Sequence, residues 1–231
     1  MNTIKVRNLT VSFKNNLVLN NLSFTAKEKE FVVILGKSGD GKTTFLKALA
    51  NLIPFSGKIE ISSKISMVFQ QYAVFPWMTV WENIAFALED IRKKQKIKII
   101  QECLELADLK DKKNMYPEEL SGGQVQRIAF ARAIASNSSI LLMDEPYGAL
   151  DAYTKIKMQQ WLLKVWQQHK KTIVFVTHDI EEALFLADRI LILEKGEWKK
   201  EFKIPFLRPR KEDLKFSDEF IKMKKEIYGW F

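Results

Sequence analysis

Four short runs in this chain are apolar at every position: Phe31–Leu35, Ile140–Met143, Ile173–Val176 and Ile190–Leu193. A strand wet on one face alternates; a strand apolar throughout is buried on both, as in a parallel sheet covered by helices. Helical patterns accompany the runs. Thr43–Asn51 follows the first, and Met158, Trp161, Leu162, Val165 and Trp166 form a stripe before the third. Ile180, Ala183, Leu184 and Ala187 follow the third. The core is therefore predicted to be α/β with a mostly parallel sheet. Ahead of it, Ile4/Val6, Leu9/Val11/Phe13 and Leu22/Phe24 alternate as half-buried strands do, with Asn15-Asn16 and Asn20-Asn21 read as turns. Between about residues 75 and 136 the pattern turns mostly helical, which reads as an inserted subdomain.

At 231 residues, 47% hydrophobic and 28% charged, the chain can fill one large core, with or without an inserted subdomain. No apolar run reaches the roughly 18–20 residues that span a bilayer. Met1-Asn2-Thr3-Ile4-Lys5 lacks the layout of a signal peptide. A cytosolic chain is expected, held at a membrane by a partner if it works there. Cys103 is the one cysteine, so an internal disulfide is excluded, and a buried thiol is expected beside Ile99, Ile100 and Leu104. The net charge of +9 suits nucleic acid, an anionic membrane or a solvated surface. The lysines are scattered apart from runs such as Arg92-Lys93-Lys94, and no nucleic-acid-reading motif is present, so no nucleic-acid partner is expected.

Gly36-Lys37-Ser38-Gly39-Asp40-Gly41-Lys42-Thr43 fits G-x-x-x-x-G-K-[ST] between an apolar strand and a helix that continues through Thr44. Glycines let backbone N–H groups converge on an anion, and the helix points its positive end at the same place. Lys42 supplies a mobile positive charge for the β- and γ-phosphates, and the Thr43 hydroxyl is placed for Mg²⁺. A carboxylate in such a cradle is unexpected. Asp40 is expected to face solvent; pointing inward, it would repel the nucleotide, and Asp40→Ser would then bind ATP more tightly.

The run at Ile140 ends in Asp144-Glu145-Pro146. Beside a phosphate loop, Asp144 is suited to holding Mg²⁺ through water and Glu145 to polarising an attacking water. Leu120-Ser121-Gly122-Gly123-Gln124 opens a helical stretch, Gln126–Ala135, as a second anion site. One nucleotide needs only one such site, whereas a dimer can close each on the partner's nucleotide.

These motifs resemble, in order, the nucleotide-binding domains of ABC transporters, over nearly the whole chain. The resemblance implies a P-loop NTPase core with an N-terminal antiparallel β subdomain and the inserted helices. It implies that Phe13 stacks on adenine, that Gly36 to Thr44 (the Walker A loop) and Ser121 to Gln124 (the signature) hold ATP, and that Asp151 forms the D-loop with Ala149 and Leu150. Gln70 would sit near Mg²⁺ and the attacking water, Asp144 and Glu145 would be Walker B and the catalytic glutamate, and His178 would contact the γ-phosphate. A nucleotide-binding domain over 1–204 and an extension over 205–231 are expected. In that extension Phe220, Met223, Ile227 and Trp230 share a helical face, which docks on its own domain or touches a membrane or partner.

Phe75-Pro76-Trp77-Met78-Thr79-Val80-Trp81-Glu82-Asn83, Pro146 to Asp151 and Arg208-Pro209-Arg210 are similar to importers of the nitrate, sulfonate and taurine group. Phe75, Trp77 and Trp81 are either local core or a permease-docking surface. The implied protein is an ATPase subunit on the cytoplasmic face of the cell membrane, paired with a second copy, a permease and, indirectly, an extracytoplasmic solute-binding protein. The rival is a soluble ABC ATPase acting on nucleic acid or protein assemblies, and a simple P-loop kinase leaves Ser121 to Gln124 and His178 without a purpose.

Overall fold

The computed structural model describes residues 2–14, 16–70, 73–88, 91–136, 138–148 and 150–231. In chain order its principal elements are β1 (Asn2–Phe13), β2 (Asn16–Lys27), β3 (Phe31–Leu35), α1 (Lys42–Leu49), β4 (Ser56–Ile61), β5 (Ile65–Val68), α2 (Val80–Phe86) and α3 (Lys93–Leu106). Then come α4 (Gly122–Ala135), β6 (Ile140–Asp144), α5 (Ala152–His169), β7 (Thr172–Thr177), α6 (Ile180–Leu186), β8 (Arg189–Glu194), β9 (Glu197–Lys203) and α7 (Asp218–Tyr228). The chain divides into two compact units, one of Met1–Ser63 with Gln159–Phe231 and one of Lys64–Met158.

In the first unit, β1 pairs antiparallel with both β2 and β4. Along β2 the buried residues are Leu19, Leu22, Phe24 and Ala26; Leu22 and Phe24 alternate as predicted, while Asn20 and Asn21 break the alternation from Leu19. Asn15 lies outside the described residues, so the turn predicted there is described only from Asn16, where β2 begins. Asn20-Asn21 is not a turn. Both lie inside β2, where Asn21 takes φ 50° opposite Asn8 at φ 53°, and the Asn8 Nδ2 donates to the Asn21 Oδ1 at 2.7 Å. Asparagine tolerates left-handed backbone in a bulge as readily as in a turn, so composition alone could not separate the two.

The second layer of this unit is β7-β3-β8 in parallel, with β9 antiparallel on β8. Every residue of β3 and β7 is buried, the outcome the apolar runs foretold. Packed α6 supplies Ala183, Leu184, Phe185 and Leu186 to the core. The tail helix α7 docks on its own unit. Phe220 and Ile227 are fully buried, Phe220 stacks on Phe206 at 5.5 Å between centroids, and the Lys224 Nζ reaches the Glu181 carboxylate at 2.9 Å. Trp230 departs from the expected face. It follows the end of α7, is exposed, and lies 5.5 Å from the Lys200 ammonium.

In the second unit β5 and β6 run parallel, and α2, α3 and α4 form the helical stretch. Val80, Ile84, Ile100, Leu104, Ile128 and Phe130 are buried there, and so is the Cys103 side chain. A capping box between Thr79 and Glu82 starts α2. The mostly parallel core, the antiparallel N-terminal sheet and the helical stretch are thus all present.

Candidate active site

The phosphate loop lies in the first unit. It leaves β3 at Leu35 and enters α1 through Gly41, whose φ of 99° would be strained in any residue with a Cβ. A Cβ there would also stand 2.7 Å from Leu19. Lys37, Ser38 and Gly39 are exposed, while Thr43 and Thr44 are half-buried in the first turn of α1. The Lys42 side chain is buried and folded into its own loop, donating to the carbonyl oxygens of Gly36 and Lys37 at 2.9 Å each. Its charge is thus held over the cradle formed by the loop and the helix start. The Lys37 Nζ donates to the Phe231 carbonyl oxygen at 2.7 Å, so the tail described above ends on this loop.

Asp40 corrects the sequence reading. It does not face solvent; it is 8% exposed. One carboxylate oxygen accepts from the Lys37 amide at 2.6 Å, the other from the Lys195 amide at 3.0 Å in the β8–β9 turn. The Gly196 amide donates to the Asp40 carbonyl at 3.2 Å. Its negative charge serves to pin the loop to a hairpin far away in sequence.

Register places His178. Thr177 is the partner of Leu35 in the β3–β7 pair, so His178 and Gly36 leave adjacent parallel strands at the same level. The Asp179 carboxylate accepts from the amides of Glu181 and Glu182, capping α6 just after the histidine. Phe13 ends β1, paired with Asn16 and half exposed, an accessible ring at the tip of the strand pair whose Val18 and Leu19 pack on Gly41.

The second unit assembles the acidic group in the same way. Val68 partners Met143 in the β5–β6 pair, so Gln70 and Glu145 emerge side by side, each two residues on. Asp144 is buried and Glu145 half-buried with φ 40°. Gln70 and Asp144 in this unit, and Thr43 in the other, each carry a hard oxygen donor of the kind Mg²⁺ takes.

Ser121 caps α4: its hydroxyl accepts from the Gln124 amide at 3.4 Å, and the Gln124 Oε1 accepts from the Ser121 amide at 3.0 Å. Ser121 and Gly122 are exposed, so this helix start is open to an anion. Gly123 is buried, and a Cβ there would stand 2.6 Å from the Thr154 methyl. Asp151 is exposed and takes the Thr154 amide at 3.0 Å. The Thr154 hydroxyl, then its amide, hold the Asp151 carboxyl below its ordinary range. Ala149 lies outside the described residues.

Sequence reasoning missed three supports. The Asn83 amide is buried, takes the Phe75 amide and donates to the carbonyls of Phe75, Met78 and Thr79, fixing the aromatic loop. On that loop Phe75 meets Phe86 at 4.7 Å and Trp77 is 70% exposed, beside a surface hollow lined by Trp77, Met78, Glu82, Ala85, Phe86 and Lys96. The other two are the β8–β9 turn behind Asp40 and the Gln126 side chain, which donates to the Pro146 carbonyl. A polar residue inside an otherwise apolar helix face was the available signal for Asn83 and Gln126.

A family profile described as ABC transporter matches residues 19–148. An uncharacterized ABC transporter ATP-binding protein of Methanocaldococcus jannaschii is 41% identical over 241 residues, covering 97% of this chain and 89% of its own. The aliphatic sulfonates import ATP-binding protein SsuB of Zymomonas mobilis is 39% identical, covering 93% of this chain and 92% of its own. Among solved structures, a dimeric ATP-binding cassette in a post-hydrolysis state with ADP and Pi superposes with a TM-score of 0.78. It is 35% identical and covers 88% of this chain and 100% of its own.

Proposed function

The chain belongs to the ABC transporter ATP-binding subunits, and from that premise we propose that it powers an importer of a small anionic, sulfonate-like solute. As an ABC-type ATP hydrolase with the P-loop NTPase fold, it binds and hydrolyses ATP. The observation that carries the rest is the presence of two anion-ready helix starts in one chain, at Gly41 and at Ser121. On our reading two copies face each other head to tail, and each ATP is held between the phosphate loop of one and Ser121-Gly122-Gly123 of the other. The dimeric relative bound to ADP and Pi supports this.

Lys42 and the loop amides bind the phosphates, Phe13 stacks on the adenine, and Thr43, Gln70 and Asp144 would hold Mg²⁺. When bound, that ion neutralises phosphate charge. Glu145 takes the proton of the attacking water, and His178 contacts the γ-phosphate. Loss of that phosphate removes the charge joining the copies, and they separate. ATP drives the cycle only through its preference for the closed state.

The exposed Trp77 and its hollow would receive a permease, fed by an extracytoplasmic solute-binding protein, at the cytoplasmic face of the membrane. The likeness to sulfonate importers supports the solute class. The test is a pull-down of tagged chain from detergent-solubilised host membranes, with ATPase assayed on the eluate, and alkanesulfonate uptake compared in cells lacking the chain. A co-eluting multi-span permease and lost uptake support the reading. A soluble ATPase free of membrane protein, or one carrying nucleic acid, overturns transport; unchanged uptake overturns the solute.

A further inference from the structure

We propose that Gln126 is a positioning residue for Glu145, and that through it the helix opened by Ser121 sets the catalytic turn of its own subunit. This rests on the reading of Glu145 as the base and of Ser121 to Gly123 as the partner nucleotide's site. All the residues involved lie within Lys64–Met158, one compact unit.

Gln126 is fully buried in α4, between a helix start open to solvent and the apolar run Ile128, Ala129, Phe130. Its Nε2 donates to the carbonyl oxygen of Pro146, the residue after Glu145. Proline has no N–H, so its carbonyl is the one backbone hydrogen-bonding group at that position. Its Oε1 has no hydrogen-bond partner among the described residues. A buried amide with an unmet acceptor is a poor choice for packing alone, since an apolar side chain of the same volume would avoid the penalty. What the amide supplies is a donor aimed at the turn.

That turn needs holding. Glu145 has φ 40°, a left-handed backbone that a residue with a Cβ keeps only when its surroundings impose it. The Gly148 amide closes the turn on the Glu145 carbonyl at 3.2 Å. Beyond it the Tyr147 ring is buried 6.3 Å from Phe130, one turn along α4 from Gln126. One helix therefore holds the turn at two points, the Pro146 carbonyl and the Tyr147 ring.

The same helix is fixed at its other end. Ser121 caps it and Gly123 packs on Thr154, and unbroken helix joins these points to Gln126. Gln126 sits five residues from Ser121, about 7.5 Å along the axis. An anion that draws in the start of α4 thus moves the donor that holds the Glu145 turn. Each subunit's base is set by the nucleotide its signature touches, so the two hydrolysis sites fire together.

The test uses Gln126→Met, which keeps the volume and removes the donor, in the full chain. ATPase is measured against ATP concentration, and backbone amide exchange is followed at Glu145, Tyr147 and Gly148. The expected result is kcat lowered about 10-fold or more with KM within about 2-fold, loss of cooperativity in ATP, and faster exchange in the turn but not in α4. ATP-driven dimerisation in the Glu145→Gln background is expected to persist when Gln126→Met is added. Wild-type kcat and turn exchange in a folded Gln126→Met chain would overturn the proposal while leaving the ATPase reading intact. A wild-type chain without ATPase activity would overturn both.

Discussion

Replacing Asp40 by alanine tests whether the carboxylate in the phosphate loop is an anchor or a repulsive charge. The carboxylate is buried and takes two backbone amides, Lys37 at 2.6 Å and Lys195 at 3.0 Å. Stranding a buried donor costs about 1–3 kcal/mol. With two donors, and water able to reach the exposed Lys37 side, Asp40→Ala is expected to lose about 2–4 kcal/mol. Asp40→Asn retains one acceptor oxygen and is expected to lose about half as much. Urea denaturation of the purified chain reads this directly. For an m-value near 3 kcal/mol/M the alanine variant's midpoint falls by roughly 1 M with the slope unchanged. Titration with a fluorescent ATP analogue gives the second arm. An anchor predicts weaker binding in Asp40→Ala, because the loop loses its tie to the β8–β9 turn. A carboxylate aimed at the nucleotide predicts tighter binding. Stability within about 0.5 kcal/mol of wild type, together with tighter ATP binding, would refute the anchor.

Lys42→Ala is expected to weaken ATP binding about 10- to 100-fold by equilibrium titration, since it removes a charge-assisted donor already held in the loop. Glu145→Gln is expected to retain ATP, lose turnover by about 10²-fold or more, and elute as an ATP-dependent dimer in gel filtration; full turnover would remove Glu145 from its role. Phe220→Ala, which opens a cavity under a fully buried stacked ring, is expected to cost about 3–5 kcal/mol in urea unfolding. Thermal midpoints should fall in acid. Hydrogen bonds from the Thr79 amide and hydroxyl hold Glu82 below its usual value of 4.5, as Lys110 does for Glu105 and Asn20 with Lys199 for Glu197. Carboxyls depressed by folding stabilise above their unfolded pKa and cease to as pH drops through the folded one. Melting should therefore hold steady down to about pH 5 and decline below about pH 4.

The fold was legible where local pattern and burial coincide. Phe31–Leu35 reads as a buried parallel strand because no position in it tolerates water, and no long-range knowledge is needed. The phosphate loop was legible because anion binding by backbone amides fixes residue types at fixed spacing. Asn21 was misread because left-handed tolerance suits a turn and a bulge alike, and only pairing with Asn8 decides between them. Asp40 was misread because its second partner, Lys195, joins it through tertiary structure. Gln126 escaped for the same reason. Its meaning lies in a carbonyl twenty residues away that the helix pattern does not reveal.

The order β7-β3-β8 also bears on how the chain is made. β3 is complete early in translation, but both its hydrogen-bonding neighbours are encoded after the whole of Lys64–Met158. At about 5–20 residues per second, Phe31–Leu35 waits on the order of ten seconds for partners. Throughout that interval five consecutive apolar residues of high β propensity carry two open edges, the combination that recruits other strands. Those edges stay open in the nascent chain until Thr172–Thr177 emerges. A ribosome stalled within the helical stretch would release a fragment that aggregates instead of one half-folded cassette.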